Sequence, residues 1–390
     1  MFTKSVFKST VVWPMAAFVL SAALSGCSVT ESDVGMSADD EPIRFWVADD
    51  DEGFTRGKYE NAKQMTEYSI YSFVLGRAFV TNAVQTKQDD GTWVSSRTIT
   101  FPNKMVLDFY AMKPGFVRED VKELTMTGTE KSFVHTLPNT NAKQTDFMFA
   151  SLLKKTREES GTDLLFKFKH MFSYLRFVAK CSVEGLNVKV RSITLHNLKS
   201  KGKFTFSNDV ERDGSWELYS DVDNYTFLLP EEKDLTAKNA VIHTTDSLLF
   251  VMSQKPDVFV LENDKSFADA DTEGSEKAYM EIECRLWKMK DDGSGNQVPD
   301  YIGPESTKAQ WVKVYYPLAS TTAWTSTNVP YSGTYNVTID FTGGYDYDGS
   351  DFLKKYTNNQ MQMRSAEPIR TELATVPWED DAANSTAFDM

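Results

Sequence analysis

Apolar and polar residues alternate along most of the chain, which is the period of a β-strand with one buried face. The first such stretch is short, with Ile43, Phe45 and Val47 on one face and Arg44 and Trp46 on the other. Turn residues and charged breaks separate the stretches that follow. The pattern predicts further strands over residues 68–74, 77–84, 93–101, 105–112, 164–183, 188–195, 202–206, 216–219, 241–253, 278–289, 311–317, 334–341 and 368–378.

Helical patterns are few, and residues 60–67, 147–156 and 351–362 are the segments that suggest short helices. Many strands with almost no strand–helix alternation predict an all-β protein made of β-sandwiches. A charged break at residues 231–238 divides the strands into two sets, and two domains suit the usual size of about 150 residues each. We therefore expect an N-terminal domain over residues 42–232 and a C-terminal domain over residues 233–390.

The first residues have the organisation of a secretory signal peptide. Lys4 and Lys8 precede an apolar run over residues 11–24, which is shorter than the roughly twenty residues needed to span a bilayer. The run ends in Leu-Ser-Gly-Cys, the pattern at which bacterial lipoproteins are cleaved and lipidated. We predict a signal peptide over residues 1–26, a lipid on Cys27 and a flexible tether over residues 27–41. The alternative is an ordinary signal peptide in which Cys27 occurs by chance.

An acidic run, Asp-Asp-Asp-Glu at residues 49–52, follows the first strand-like stretch. Four consecutive carboxylates cannot be buried together, so the run predicts an exposed loop. Arg56 and Gly57 lie at the end of that loop, where a protease has access to the backbone. Arg44 is a second candidate for cleavage, but it lies inside the predicted strand.

Candidate catalytic and metal-binding chemistry is sparse. The chain has no Gly-rich phosphate loop, no nucleophile elbow and no histidine pair at metal-ligand spacing, and no pair of carboxylates stands out from the rest. His170 and His196 lie within strand patterns and are interpreted as structural. The acidic segment at residues 346–351 departs from the EF-hand, because Gly349 falls at the fourth position instead of the sixth. We predict no catalytic residue, no metal and no cofactor.

Charge and aromatic content narrow the class of protein. The chain has a formal net charge of −14 and no basic cluster to offset it, which argues against a nucleic-acid partner. Aromatic residues make up 13% of the chain, which favours packed sheets over disorder. Cys181 and Cys284 follow Cys27, and two cysteines in a large exported chain could pair but do not make a disulfide framework. A buried free thiol is the favoured interpretation of Cys181.

Four patches give the chain a resemblance to the fimbrillins, the subunits of type V pili of anaerobic gut and oral bacteria. No single patch is specific, but the order of the four patches is. Together with the lipoprotein pattern Leu-Ser-Gly-Cys that ends at Cys27, they make the resemblance cover nearly the whole chain. Phe101 is a departure, since the family often has tryptophan there. The patches are residues 101–111 (FP followed by LDFYA), 146–150 (DFMFA), 165–206 (LFKFKH through GKFTF) and 343–378 (GGYD and VPW).

The resemblance implies two tandem transthyretin-like β-sandwich domains in a non-enzymatic stalk or tip subunit that serves adhesion. It implies export as a lipoprotein to the outer face of the cell outer membrane. A trypsin-like, arginine-specific protease would then cut between Arg56 and Gly57 and remove residues 42–56 with the lipid. The segment lost would contain the strand formed by Ile43, Phe45 and Val47.

Loss of that strand would leave a groove of apolar side chains and unpaired backbone groups, which recruits a strand from another chain. In the family, the C-terminal strand of a neighbouring pilin subunit fills the groove, and repetition makes a fimbrium. Here the donor would be residues 368–378, with an inward row that comprises Ile369, Thr371, Leu373 and Thr375. If so, the strand would not complete a sheet of its own chain. The alternative is that this segment is the last strand of the second domain.

Two other functions stay open at the level of sequence. The chain could remain lipid-anchored at the surface, as a pilus anchor or as a glycan-binding module with a receptor on host or bacterial cells. A hydrolase built on a β-sandwich is the third alternative. Candidates for an aromatic glycan platform are Trp287, Trp311 and Trp324, although core packing is the favoured interpretation of the first two.

Overall fold

A computed structural model describes residues 41–48, 65–102, 104–181, 183–210, 212–234, 248–262, 265–272, 274, 276–305, 310–320, 322, 334–341, 344–357 and 369–373. These residues form 21 β-strands in five sheets and three short α-helices, so the prediction of an all-β fold is confirmed. Among them, no helix combines the length and hydrophobicity that a membrane crossing requires.

The first three sheets are built mainly from the N-terminal half of the chain. Sheet I joins β1 (Arg44–Val47) to β9 (Asp163–Phe166). Sheet II has the order β10 (Lys169–His170), β8 (Met148–Lys155), β5 (Leu107–Lys113), β2 (Glu67–Val74), β3 (Arg77–Lys87) and β4 (Trp93–Ser95). Sheet III has the order β14 (Ser215–Leu218), β13 (Lys201–Thr205), β7 (Lys131–Thr136) and β6 (Lys122–Met126).

The other two sheets contain the strands that the structure describes from residue 222 onward. Sheet IV has the order β16 (Leu249–Val251), β11 (Ser173–Lys180), β20 (Thr334–Asp340) and β21 (Arg370–Leu373). Sheet V has the order β15 (Val222–Asp234), β12 (Asn187–Lys199), β17 (Tyr279–Asp291) and β18 (Gln297–Tyr301), and β19 (Val312–Pro317) also pairs with β17. The helices are α1 (Arg157–Ser160), α2 (Phe267–Ala270) and α3 (Phe352–Tyr356).

Sheet II is a middle layer with apolar residues on both faces. In β5, Phe109 and Ala111 belong to the cluster beneath sheet I, while Tyr110 and Met112 belong to the main core shared with sheet III. A strand buried on both faces loses its polar alternation. For this reason the helix predicted over residues 147–156 is wrong: that segment is β8, whose first three residues are all buried.

Sheets IV and V share the main core, and Phe177 of sheet IV meets Phe227 of sheet V with ring centroids 5.4 Å apart. The boundary predicted between residues 232 and 233 falls inside β15. Strands from both sides of it pair, β12 with β17 and β11 with β20. The strands on the two sides of the predicted boundary therefore pair with each other, and β15 includes residues 231–234, the first part of the charged run. The predicted strand over residues 164–183 is three strands, β9, β10 and β11, in three different sheets.

Candidate assembly site

The first strand, β1, is held by a parallel ladder to β9, a strand 119 residues further along the chain. The register places Arg44 beside Asp163 and Val47 beside Phe166. The backbone N–H of Arg44 donates to Thr162 O at 2.7 Å, and that of Ile43 donates to Ile99 O at 2.7 Å. Among the described residues, β9 is the only strand with which β1 forms a ladder. A strand of four residues with one ladder partner is weakly held by its backbone.

The inward face of β1 is apolar and fills a groove. Ile43 is 6% exposed and Phe45 is 2% exposed, whereas Val47 is half-buried. The Phe45 ring lies 5.6 Å from the ring of Phe109 and 5.8 Å from that of Phe166, measured between centroids. The inward row predicted for Ile43, Phe45 and Val47 is thus the row found on this face. Without β1, the groove would expose aromatic rings of sheets I and II to water.

On the outward face of β1, two side chains donate hydrogen bonds to the carboxylate of Asp163, and Arg44 also lies 3.6 Å from the carboxylate of Glu41. The Arg44 guanidinium donates through Nε to Asp163 Oδ1 at 2.8 Å and through Nη2 to Oδ2 at 3.0 Å. Trp46 Nε1 donates to the same Oδ1 at 3.0 Å. Two hydrogen bonds hold the pKa of Asp163 below its usual range: the one from Trp46 has the larger effect, and the one from Arg44 has the next largest. Sequence reasoning did not find Asp163, because nothing close to it in the chain distinguishes it from other exposed carboxylates.

The last strand, β21, lies antiparallel to β20 at the edge of sheet IV, with Thr371 opposite Val337 and Leu373 opposite Tyr335. Ile369, directly before it, is 4% exposed in the main core. Its N–H donates to Pro317 O at 3.0 Å, and its carbonyl accepts from the N–H of Ala319 at 2.8 Å. The expectation that this segment does not complete a sheet of its own chain is therefore wrong for the isolated chain. Thr375 lies outside the described residues.

The predicted processing positions, Cys27, Arg56 and Gly57, also lie outside the described residues. The competing site, Arg44, is described, and its backbone is bonded within β1. Proteases need an extended, unpaired segment, so the backbone pairing disfavours cleavage at Arg44 in the folded chain.

The two histidines in the patch at residues 165–206 have structural environments. His170 is buried, and its Nδ1 lies 3.0 Å from Asp146 Oδ1, which also accepts from the Tyr174 hydroxyl at 3.0 Å. His196 stacks on Tyr279 with ring centroids 4.3 Å apart. Both contacts support the structural interpretation. His243 lies outside the described residues.

Two carboxylates of the acidic segment at residues 346–351 share one lysine partner. Lys355 Nζ donates to Asp346 and Asp348, at 2.6 Å in each case. These bonds raise the pKa of Lys355 and lower that of Asp348 to about 2. In the described part of the chain, no cluster of three or more histidine, cysteine or acidic side chains could hold a metal ion.

The remaining candidate side chains are in packed surroundings. Cys284 is buried and Cys181 is half-buried, both as free thiols. Burial raises the pKa of the Cys181 thiol, which makes it less nucleophilic. Trp287 packs on Tyr301 with centroids 6.2 Å apart, and Arg285 lies 4.5 Å over the ring of Trp311. Trp324 lies outside the described residues.

Comparison with known proteins places the chain in a family. The family model described as Fimbrillin-like matches residues 54–268, which is more than half of the 390 residues. The chain belongs to the fimbrillin-like family. Membership supports a role as a pilus or adhesin subunit at the cell surface. No curated protein sequence matches this fimbrillin-like chain.

Solved structures similar to the fimbrillin-like chain include a fimbrial protein from Bacteroides vulgatus, with 14% identity, coverage of 85% of this chain and 98% of that one, and a TM-score of 0.48. A putative cell adhesion protein from Bacteroides uniformis has 12% identity, coverage of 87% and 99%, and a TM-score of 0.42. The fimbrial anchor protein Mfa2 from Porphyromonas gingivalis has 10% identity, coverage of 76% and 88%, and a TM-score of 0.29.

Proposed function

We propose that this protein is a stalk or tip subunit of a type V pilus, exported as a lipoprotein on Cys27, cut after Arg56 and assembled by strand exchange. It acts by forming contacts between subunits, as a structural element without enzymatic activity. Its partners are other pilin subunits, an arginine-specific protease and the outer membrane before processing.

The observation that carries this proposal is the way β1 is bound. Its side chains Ile43 and Phe45 complete an apolar cluster that the rest of the chain builds. Its backbone, in contrast, is held by a four-residue ladder to β9. Burial of a phenylalanine or isoleucine stabilises by about 1.5–3 kcal/mol each, so the emptied groove favours a replacement strand.

Cleavage after Arg56 would free β1 at its C-terminal side and leave β9 without its ladder partner. An unpaired strand edge above an apolar groove is a template for addition of another strand. Because donor and groove are different surfaces, each added subunit presents a new groove, and the contact extends into a fibre.

Controlled proteolysis of the purified full chain tests the proposal. The uncut chain should remain monomeric because β1 occupies the groove. After treatment with an arginine-specific protease, the chain should begin at Gly57 and form oligomers of increasing size. These appear as a ladder of bands on a native or mild-detergent gel, and "ladders" below refers to these bands. A single cut at residue 56 without any ladder would contradict strand exchange.

The position of β21 favours a second candidate, a permanently lipid-anchored surface protein such as a pilus anchor or a glycan-binding module. A chain whose last strand stays in its own sheet IV donates nothing to a neighbour. Mass spectrometry of the surface-exposed protein from cells distinguishes the two, because the anchor retains lipidated Cys27 while the pilin begins at Gly57.

A further inference from the structure

The first and last strands begin with the same four residues. Residues 41–44 and residues 367–370 both read Glu-Pro-Ile-Arg. In each copy the arginine is the first residue of a strand, Arg44 of β1 and Arg370 of β21. β1 continues as Phe-Trp-Val and β21 as Thr-Glu-Leu. The positions that match the inward residues Phe45 and Val47 are therefore Thr371 and Leu373, which are small or apolar.

We propose that β21 of a second copy replaces β1 in one fixed register, parallel to β9, with Arg370 of the incoming strand on Asp163. This inference rests on the proposed function and names its partner: another copy of the same chain. Asp163 is then the residue that selects the incoming strand and sets its register.

The register follows from the ladder of β1. Since Arg44 lies beside Asp163 and Val47 beside Phe166, the shared sequence places Arg370 beside Asp163 and Leu373 beside Phe166. Ile369 then enters the site of Ile43, which an identical side chain already fills. A shift by one residue would turn the inward row of the donor out to water, which makes other registers costly.

Asp163 supplies the polar half of the recognition. In the uncut chain it accepts three hydrogen bonds, two from Arg44 and one from Trp46. All three donors leave with the removed segment, and the carboxylate stays on β9. A planar guanidinium fits a carboxylate with two parallel hydrogen bonds, so Arg370 restores the pairing that Arg44 made.

Any one copy of β21 can occupy either its place in sheet IV or the place beside β9 of a neighbour, but not both. Ile369 is buried in the main core of its own chain, and the same side chain cannot also fill the Ile43 site of a neighbour. The strand is antiparallel to β20 in its own sheet, whereas it would be parallel to β9 in the neighbour. Assembly therefore exchanges one edge pairing for another.

Cysteine cross-linking tests the register directly. An Asp163→Cys chain is cut with the arginine-specific protease and mixed with cut Arg370→Cys chain under mild oxidation. Directly opposed residues on neighbouring strands have Cα atoms within the range that a disulfide bridges. We expect a disulfide-linked dimer with Arg370→Cys and none with Thr371→Cys, the matched control one residue along. Cross-linking at Thr371→Cys alone would overturn the register.

Charge reversal tests the role of Asp163. Arg370→Glu brings a carboxylate onto Asp163 and should lower the yield of ladders by about tenfold or more, since like charges at an interface are strongly unfavourable. Addition of Asp163→Arg in the same chain should restore the ladders. Melting temperatures of the uncut variants check that each one folds.

The outcomes separate the two proposals. If wild-type ladders form but Arg370→Glu has no effect and Asp163→Cys does not cross-link to Arg370→Cys, strand exchange stands and the register is wrong. If the cut wild-type chain forms no ladders, the proposed function fails and this inference fails with it.

Discussion

At the scale of single residues, burial decides which side chains matter. Phe45 is 2% exposed among aromatic rings, while Arg44, its neighbour in the chain, keeps 56% of its side chain exposed. The two differ by one position in a strand, which turns one inward and the other outward. The large energetic effects in β1 should therefore follow the inward row.

Phe45→Ala should destabilise the uncut chain by about 3–5 kcal/mol, because truncation of a buried phenylalanine loses burial and leaves a cavity. Urea denaturation of the uncut chain measures the difference. Arg44→Ala, on the outer face, should change stability far less. After cleavage at Arg56 the Phe45→Ala and wild-type chains become identical, so any difference that persists would point to a folding defect elsewhere.

His135 should make stability depend on pH. Burial, the largest cause, lowers the pKa of His135, whose Nδ1–H donates to Asp120 O at 2.8 Å and whose ring lies 4.6 Å from that of Phe147. The unfolded chain binds a proton near the ordinary pKa of about 6.5, whereas the folded chain resists it. Stability is thus complete above that pH and falls as the pH drops below it.

His135→Asn tests this contribution, because the amide can still donate to the Asp120 carbonyl but does not titrate. Urea midpoints at about pH 7.5 and about pH 5.5 should differ less in the variant than in the wild type. Equal differences in the two proteins would show that other groups cause the acid sensitivity.

At the scale of elements, the last strand has two candidate positions. In the isolated chain β21 completes sheet IV, and Ile369 is buried in the main core. In the fibre we propose that it completes sheet I of a neighbour. A change that weakens the strand in both positions should therefore affect both the monomer and the assembly.

Ile369→Asp should lower the stability of the uncut monomer by about 3 kcal/mol or more and also abolish ladders, because the carboxylate would be buried without a partner. Melting of the uncut chain and gels of the cut chain measure the two effects. Thr205→Asp, at an exposed position on β13 in sheet III, is the control and should change neither strongly. An unchanged melting temperature for Ile369→Asp would mean that β21 does not occupy sheet IV in solution.

At the scale of the whole molecule, the net charge opposes contact between copies: it is −14 for the full chain and −9 for residues 57–390, because residues 1–56 hold nine acidic and four basic side chains. Salt screens this repulsion, with a Debye length that falls from about 30 Å at 0.01 M to about 8 Å at 0.15 M. Salt would also weaken the exposed ion pair between Arg370 and Asp163. We expect this loss to be smaller than the gain from screening the repulsion between two negatively charged chains.

Ladder formation by the cut chain should therefore accelerate as sodium chloride rises from about 0.01 M to about 0.15 M. The protease is first removed, and the rate is then followed by light scattering at a constant protein concentration. The Arg370→Glu chain shows whether the specific pair matters at both salt concentrations. A rate that falls steadily with salt would show that the ion pair, and not the net repulsion, controls association.

The alternation of side chains by itself determined much of this protein. It predicted β1, its inward row Ile43, Phe45 and Val47, and the all-β class, because a half-buried strand requires apolar residues at every second position. It failed at β8, where both faces are buried and the alternation disappears. The fimbrillin resemblance was likewise carried by the order of residues along the chain, and the family match confirms it.

Only the tertiary structure decided which strands pair. The ladder of β1 with β9, the three hydrogen bonds on Asp163 and the place of β21 beside β20 all join segments far apart in sequence. Backbone hydrogen bonds are the same for every residue, so a strand's own sequence shows which face is buried but not which strand lies beside it. The packing of whole sheets decides which strands become neighbours, and it places Asp163 beside Arg44.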